Sequence, residues 1–326
     1  MFYLNVLCVK RPPTVINIRF SFMDKLPTAV GDGQNSTRSH PAGARHPVVL
    51  QSGPVAFIAA ANVQDLSMPR FAANLAYLFA ERPFMERFGA AAAAGFKAVE
   101  LQMPYDHAPT DVRAELARHG LTQLGLNTQS RPNGGESGLG AVPGREREFA
   151  EVFQKALDYV TAIGGSAIHT LAGKVAPELR PAAERVFVAN YTRAADLAAE
   201  KSITILIEPL NPRDRPDYFL GRVEQAADLI DKIGRPNVRI QFDFYHVQII
   251  CGDLLTRLEK FMPYIGHVQI AAVPSRAEPD EGEINFPAVF DALDRLGYAG
   301  WVGCEYKPRG KTEDGLGWGR RYGLGL

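Results

Sequence analysis

From Arg70 onward, short apolar runs alternate with longer stretches whose apolar residues recur at helical spacing. Eight runs read as strands: 70–75 (RFAANL), 98–103 (AVELQM), 121–127 (LTQLGLN), 166–172 (SAIHTLA), 203–209 (ITILIEP), 238–244 (VRIQFDF), 266–272 (GHVQIAA) and 301–306 (WVGCEY). Between them lie amphipathic segments such as GREREFAEVFQKALDYVTAIGG and RVEQAADLIDKIG, several closed by a glycine of the kind that ends helices. Strand–helix alternation calls for parallel pairing, and eight such units in about 250 residues match a (β/α)₈ TIM barrel. A doubly wound sheet would have fewer strands and a glycine-rich phosphate turn after the first, but RFAANLAYLF contains no glycine.

The segment before Met68 has no such rhythm. It runs from MFYLNVLCVKRPPTV into GDGQNSTRSHPAGARHP, rich in Gly, Pro, Ser and Asn without a sustained period. Residues 1–67 are therefore expected to be a mostly disordered extension, either a transit peptide or translation from an upstream start codon, with the barrel spanning 68–326. Composition narrows the classes further. The 36 basic and 36 acidic residues cancel, so no overall field favours nucleic acid or an anionic membrane. The run VVLQSGPVAFIAAANV falls short of the ~20 apolar residues a membrane helix needs and is broken by Gly53 and Pro54. Cys8, Cys251 and Cys304 form no CxxC pair, which suits a reducing, cytoplasmic setting and offers no disulfide framework. Oligomeric state is not legible.

The last four strands each end in an oxygen-bearing side chain: Glu208, Asp243, Gln269 and Glu305, spaced by about one β/α unit. Strand C-termini of a barrel converge on the mouth where active sites of this fold lie. Any one of these residues could instead cap a helix or pair with an arginine. Together, three carboxylates repel by roughly 4 kcal/mol per pair at 4 Å in an effective dielectric of 20. A divalent cation relieves that repulsion, and an all-oxygen donor set favours Mg²⁺ or Mn²⁺ over zinc. His246 is placed to donate to a substrate oxygen, and Cys304 alternates away from Glu305 with no base beside it. The loops 128–143 and 273–285 are long enough to act as lids, with Glu278 and Glu283 ordering the second around Arg276.

Beyond these physical readings, the strings IEPLNPRDRPDYFL, QFDFYHVQ, GHVQIAAVPSRAEPDEGEINF and GWVGCEYKP, with PGREREF upstream, resemble the hydroxypyruvate isomerase family and its 2-oxo-tetronate isomerases, within the sugar isomerase/epimerase barrels. The resemblance runs from about Met68 to Tyr322. It implies a metal site at Glu208, Asp243, Gln269 and Glu305, with Glu208 and Glu305 as the paired acid/base carboxylates. The better-known members carry a histidine where this chain has Leu126, just before Asn127, a departure that bears on the substrate rather than the chemistry.

The implied reaction moves a proton between adjacent carbons of a small anionic oxo acid while carbonyl and hydroxyl exchange places. Arg276 and Lys307 are the candidates to hold the substrate carboxylate, with His246 and Asn127 completing the substrate contacts. Two alternatives stand beside it: a sugar C3-epimerase on the same scaffold, and a barrel that binds a metabolite without turning it over. An apurinic-site nuclease is disfavoured, because the first four strands lack the His/Asp/Glu set of a multi-zinc cluster.

Overall fold

The computed structural model describes residues 68–129 and 137–325. The expectations for residues 1–67, and for the middle of the 128–143 loop, lie outside the described residues. The strands are β1 (Arg70–Asn74), β2 (Ala98–Glu100), β3 (Thr122–Gln123), β4 (Gly125–Asn127), β5 (Ala167–His169), β6 (Thr204–Ile207), β7 (Val238–Asp243), β8 (Ile265–Ile270) and β9 (Trp301–Cys304). All pair in parallel in the order β3-β2-β1-β9-β8-β7-β6-β5-β4. The eight expected strands are therefore present, the third in two pieces separated by Leu124. β3 pairs with β2 and β4 with β5, so this one stretch of chain joins the two ends of the sheet. The Gly125 carbonyl accepts from Leu101 N–H at 3.0 Å, and Asn127 N–H donates to the Gln102 carbonyl at 2.9 Å, which ties β4 back to the segment after β2.

Helices cover the outside: α1 (Glu86–Ala93), α2 (Pro109–His119), α3 (Glu146–Ile163), α4 (Arg180–Ala199), α5 (Val223–Ile233), α6 (Phe244–Ile250), α7 (Leu254–Phe261) and α8 (Phe286–Arg295), followed by a 3₁₀ segment at Glu313–Tyr322. Their apolar stripes meet the outward side chains of the strands. Ile240, Phe242, Val268, Ile270, Val302 and Cys304 all belong to this core. Each fully buried aliphatic or aromatic side chain contributes about 1.5–3 kcal/mol. On α4, Phe187 and Tyr191 stack with ring centroids 3.8 Å apart, and the Tyr191 hydroxyl donates to the Thr170 carbonyl at 2.6 Å. Gly140 lets that ring approach, since a Cβ there would sit 2.6 Å from it.

The inward positions alternate with these. Arg239, Gln241, His267, Gln269 and Glu305 line a cavity of about 510 Å³ that runs along the barrel interior, together with Asn74, Glu100 and His169. TIM barrels ordinarily fill this space with branched apolar residues. Here apolar and polar side chains share it, and the buried hydrogen bonds among Asn74, Glu100, His267 and Gln269 lead to the mouth.

Candidate active site

Each of the four strand-end residues faces inward by the two-residue period of its strand, and all four are buried. Asp243 ends β7 and at the same time caps α6: its Oδ1 accepts from the Tyr245 N–H at 2.9 Å. That cap turns the chain helical at Phe244, the residue with which the sequence closes the strand. Glu208 and Glu305 sit one residue beyond β6 and β9. Each is held by a glutamine amide, one on β7 and one just past β2: Gln241 Nε2 donates to Glu208 Oε2 at 3.0 Å, and Gln102 Nε2 donates to Glu305 Oε1 at 2.6 Å.

Gln269 is fixed from below. Its Nε2 donates to Glu100 Oε2 at 2.7 Å, so its carbonyl oxygen is the end left free. Glu100 also accepts from Asn74 Nδ2 at 3.0 Å and bonds the His267 ring through Nε2. The space for this anchor exists because residue 303 is glycine; a Cβ there would lie 1.9 Å from Glu100 Oε1.

Three buried oxygens at this level have no hydrogen-bond partner: Glu208 Oε1, Asp243 Oδ2 and Gln269 Oε1. Such orphans are rare, because each forfeits its solvation without recompense. They belong to three of the four residues expected to bind a cation. An oxygen set of this kind fits Mg²⁺ or Mn²⁺, and Glu208, Asp243, Gln269 and Glu305 are the residues that would hold it. A ligand-capable atom from each of Glu208, Asp243 and His246 also falls within 4.8 Å of the others. His246 is nevertheless a donor. Its Nδ1 accepts the Asn211 N–H at 3.1 Å, which puts the proton of the neutral ring on Nε2, 3.7 Å from Asp243 Oδ2.

Burial and crowding push the carboxyls upward. Glu208 rises well above the usual carboxylate range through desolvation and then the charges of Glu305 and Asp243. Desolvation raises Asp243 to about 6 and Glu305 to about 8, with Arg276 opposing both. Burial lowers His169 to about 3 and His246 well below its ordinary value, so both rings are neutral. His169 Nε2 lies 3.4 Å from Glu208 Oε2.

A second cavity of about 360 Å³ forms the mouth, lined by Tyr77, Asn127, His169, Glu208, Asp214, His246, Arg276 and Glu305 among others. Arg276 reaches it from the loop after β8. Its guanidinium lies between the rings of Tyr77 and Tyr245, at 5.1 and 4.7 Å from their centroids. Nη1 donates to Asp214 and Nη2 to Glu305, each at 3.3 Å. Asn127 contributes to the rim, and its carbonyl accepts from the Tyr105 hydroxyl at 2.5 Å. Lys307 is not brought in: its side chain is exposed and outside both cavity linings, and its backbone N–H donates to the Arg276 carbonyl at 2.7 Å. His107 stacks on Phe84 away from the mouth. Glu278 orders the loop after β8 by accepting from Arg309, whose guanidinium also holds Asp280 and Glu281.

Glu100, Gln102, Gln241, Asn211 and Asp214 were not singled out in the sequence. Glu100 is hidden because the run AVELQM reads on to Met103 and puts it in mid-strand, whereas the two-residue period pairs Gln102 with Glu100 and Gln241 with Asp243 on inward faces.

Comparison with known proteins follows the same outline. Residues 88–322 match the family model described as xylose isomerase-like TIM barrel. The 2-oxo-tetronate isomerase of Cupriavidus necator is 46% identical over 257 residues, covering 78% of this chain and 99% of that protein. The hydroxypyruvate isomerase of Escherichia coli is 40% identical over 255 residues, covering 77% and 98%. A crystal structure from Brucella melitensis, described as an AP endonuclease of family 2, superposes with a TM-score of 0.77 at 47% identity over 78% of this chain and 99% of that one.

Proposed function

The chain belongs to the xylose isomerase-like TIM-barrel family and is an isomerase, and on that premise we propose that it interconverts hydroxypyruvate and tartronate semialdehyde, or a closely related four-carbon 2-oxo acid, with the help of a divalent cation. The observation that carries this reading is the pair Glu208 and Glu305: two buried carboxylates at one mouth, each held by a glutamine amide. A proton leaves the hydroxyl-bearing carbon, and one returns to the neighbouring carbon, while carbonyl and hydroxyl change places; substrate and product are isomers and no redox partner is required. Glu208 and Glu305 are the groups that take and return it, and their raised affinity for protons brings them toward the range in which general acid/base catalysis is efficient. When bound by Glu208, Asp243, Gln269 and Glu305, the cation supplies Lewis-acid stabilisation of the charge that develops on the substrate oxygens. His246 offers an Nε2–H donor to a substrate oxygen. Arg276 binds the carboxylate, and the rings of Tyr77 and Tyr245 keep its guanidinium flat against the rim.

The experiment follows hydroxypyruvate and the four-carbon 2-oxo acid by NMR in D₂O, with added Mn²⁺ or Mg²⁺ and after chelation. Deuterium entering carbon, with the carbonyl relocating, supports the reading. In a parallel panel of ketose sugars, exchange at one carbon without relocation of the carbonyl identifies the C3-epimerase instead, and tight binding without exchange on any of these substrates identifies a metabolite-binding barrel. Glu305→Gln should lower turnover by at least about 10²-fold; turnover and exchange that persist unchanged in this variant would refute the acid/base assignment. Cleavage of abasic-site DNA in a parallel assay would transfer the site to phosphodiester chemistry.

A further inference from the structure

The turn after β6, Asn211 to Asp214, touches both cationic and neutral donors of the mouth without lining the barrel itself. Asp214 Oδ2 accepts from the Tyr245 hydroxyl at 3.0 Å, from Arg276 Nη1 at 3.3 Å and from Asn211 Nδ2 at 3.3 Å. The turn is internally locked, since Asp214 N–H donates to Asn211 Oδ1 at 2.9 Å, and Asn211 is fully buried. The Arg276 guanidinium is thus held from two ends, by Asp214 at Nη1 and Glu305 at Nη2. Of the five N–H groups, the second hydrogens of Nη1 and Nη2 and the Nε–H remain, and Nε is buried without a hydrogen-bond partner. Arg276 also adopts φ 58°, a backbone conformation that a non-glycine residue holds only when its surroundings enforce it.

Arg276 lines the mouth, and beside the hydrogens given to Asp214 and Glu305 its Nη1 and Nη2 each keep a second N–H that a carboxylate can accept. We propose that Asp214 is a positioning residue, which turns Arg276 so that the N–H groups it does not engage are presented to the carboxylate of the substrate. This rests on the oxo-acid reading above. Without Asp214 the guanidinium keeps Glu305 as its remaining ion partner, and can rotate to present two donors to it. Two losses follow: the substrate loses its anchor, and Glu305 becomes more strongly tied to a cation. Asp214 touches no reacting atom, so its removal should raise KM more than it lowers kcat.

The test compares wild type, Asp214→Asn, Asp214→Glu, Arg276→Lys and the Asp214→Asn/Arg276→Lys pair, all loaded with Mn²⁺ and checked for native circular dichroism. Steady-state kinetics on the turned-over oxo acid are read beside calorimetric binding of glycerate, which carries the carboxylate but lacks the carbonyl and cannot isomerise. Asp214→Asn should weaken glycerate about tenfold and raise KM by a similar factor, with kcat reduced less. Asp214→Glu should recover part of the loss, and the double variant should be little worse than Arg276→Lys alone, the non-additivity expected of side chains that act through one another. Additive losses, or glycerate affinity within twofold of wild type in Asp214→Asn, overturn the proposal. The glycerate arm needs no turnover: if wild type isomerises no oxo acid yet binds glycerate in an Asp214-dependent way, the functional reading falls and the positioning role stands. If wild type turns over the oxo acid but binds no glycerate, the positioning role falls.

Discussion

Gly303 sits in the middle of β9 with nothing unusual about its backbone, and replacing it with alanine is the sharpest probe of how the interior supports the mouth. A Cβ at this position would lie 1.9 Å from Glu100 Oε1, 2.7 Å from Glu100 Cδ and 2.9 Å from Gln269 Cγ. All three distances are below any tolerable contact, so both side chains must move. Both line the interior cavity and have room to shift, but Glu100 can do so only by giving up hydrogen bonds to Asn74, His267 and Gln269, all buried. A buried hydrogen-bonding group left without its partner costs about 1–3 kcal/mol, so Gly303→Ala is expected to lose about 1–3 kcal/mol of stability. Moving the Gln269 amide also swings its free carbonyl off the mouth, and loss of a partner that orients a metal ligand typically costs 10- to 100-fold in affinity. Urea denaturation gives the first quantity, and Mn²⁺ titration followed by electron paramagnetic resonance gives the second. Gly310→Ala is the control, since a Cβ there meets nothing within 4 Å. The reasoning is refuted if Gly303→Ala matches this control in both measurements.

Three further outcomes follow from the same geometry. Glu305 is raised to about 8 by burial, while the buried neutral rings of His169 and His246 work in the opposite direction only below about pH 6.5, where the unfolded chain protonates them; cation-free protein should therefore lose stability as pH climbs from about 7 to 8, by at most about 1.4 kcal/mol per pH unit for this group. Denaturation midpoints across that range, with and without Mn²⁺, check it, and a flat or rising profile without the cation contradicts it. Cys304 packs outward into the apolar core with its thiol pushed far up by burial, so Cys304→Ala should keep turnover within about threefold while destabilising the fold by about 1 kcal/mol, read by kinetics and urea titration. Lys307→Met should leave KM within about twofold, because the exposed side chain stands outside the mouth; a tenfold rise would place it on the substrate path.

What could be seen in the sequence was periodicity and what could not was depth. The alternation of apolar runs and amphipathic segments located every barrel strand, because a parallel strand buried on its outer face must be apolar at every second position. The same period put Glu208, Asp243, Gln269 and Glu305 at one level. It missed α6, because FYHVQII continues an apolar run without a break; only the cap made by Asp243 turns it into a helix. It missed the split at Leu124, which reflects the way one strand must reach two neighbours. Lys307 and Arg276 look equivalent in the sequence, each a cation just past a strand. What separates them is the path of the loop after β8, which buries Arg276 between two tyrosines and leaves Lys307 in solvent. Asp214 could not be inferred at all, since its partners Tyr245 and Arg276 lie 31 and 62 residues away.

Asp243 divides its two oxygens between tasks. Oδ1 starts a helix, and Oδ2 faces the mouth. A ligand that draws the carboxylate toward the mouth therefore pulls on the first turn of α6 as well, and the half-buried Cys251 caps the far end of that helix. Occupancy of the site is thereby written into a local fold: the exchange rate of the Tyr245 amide becomes a gauge of what the mouth contains, and a thiol label on Cys251 a place from which to watch it.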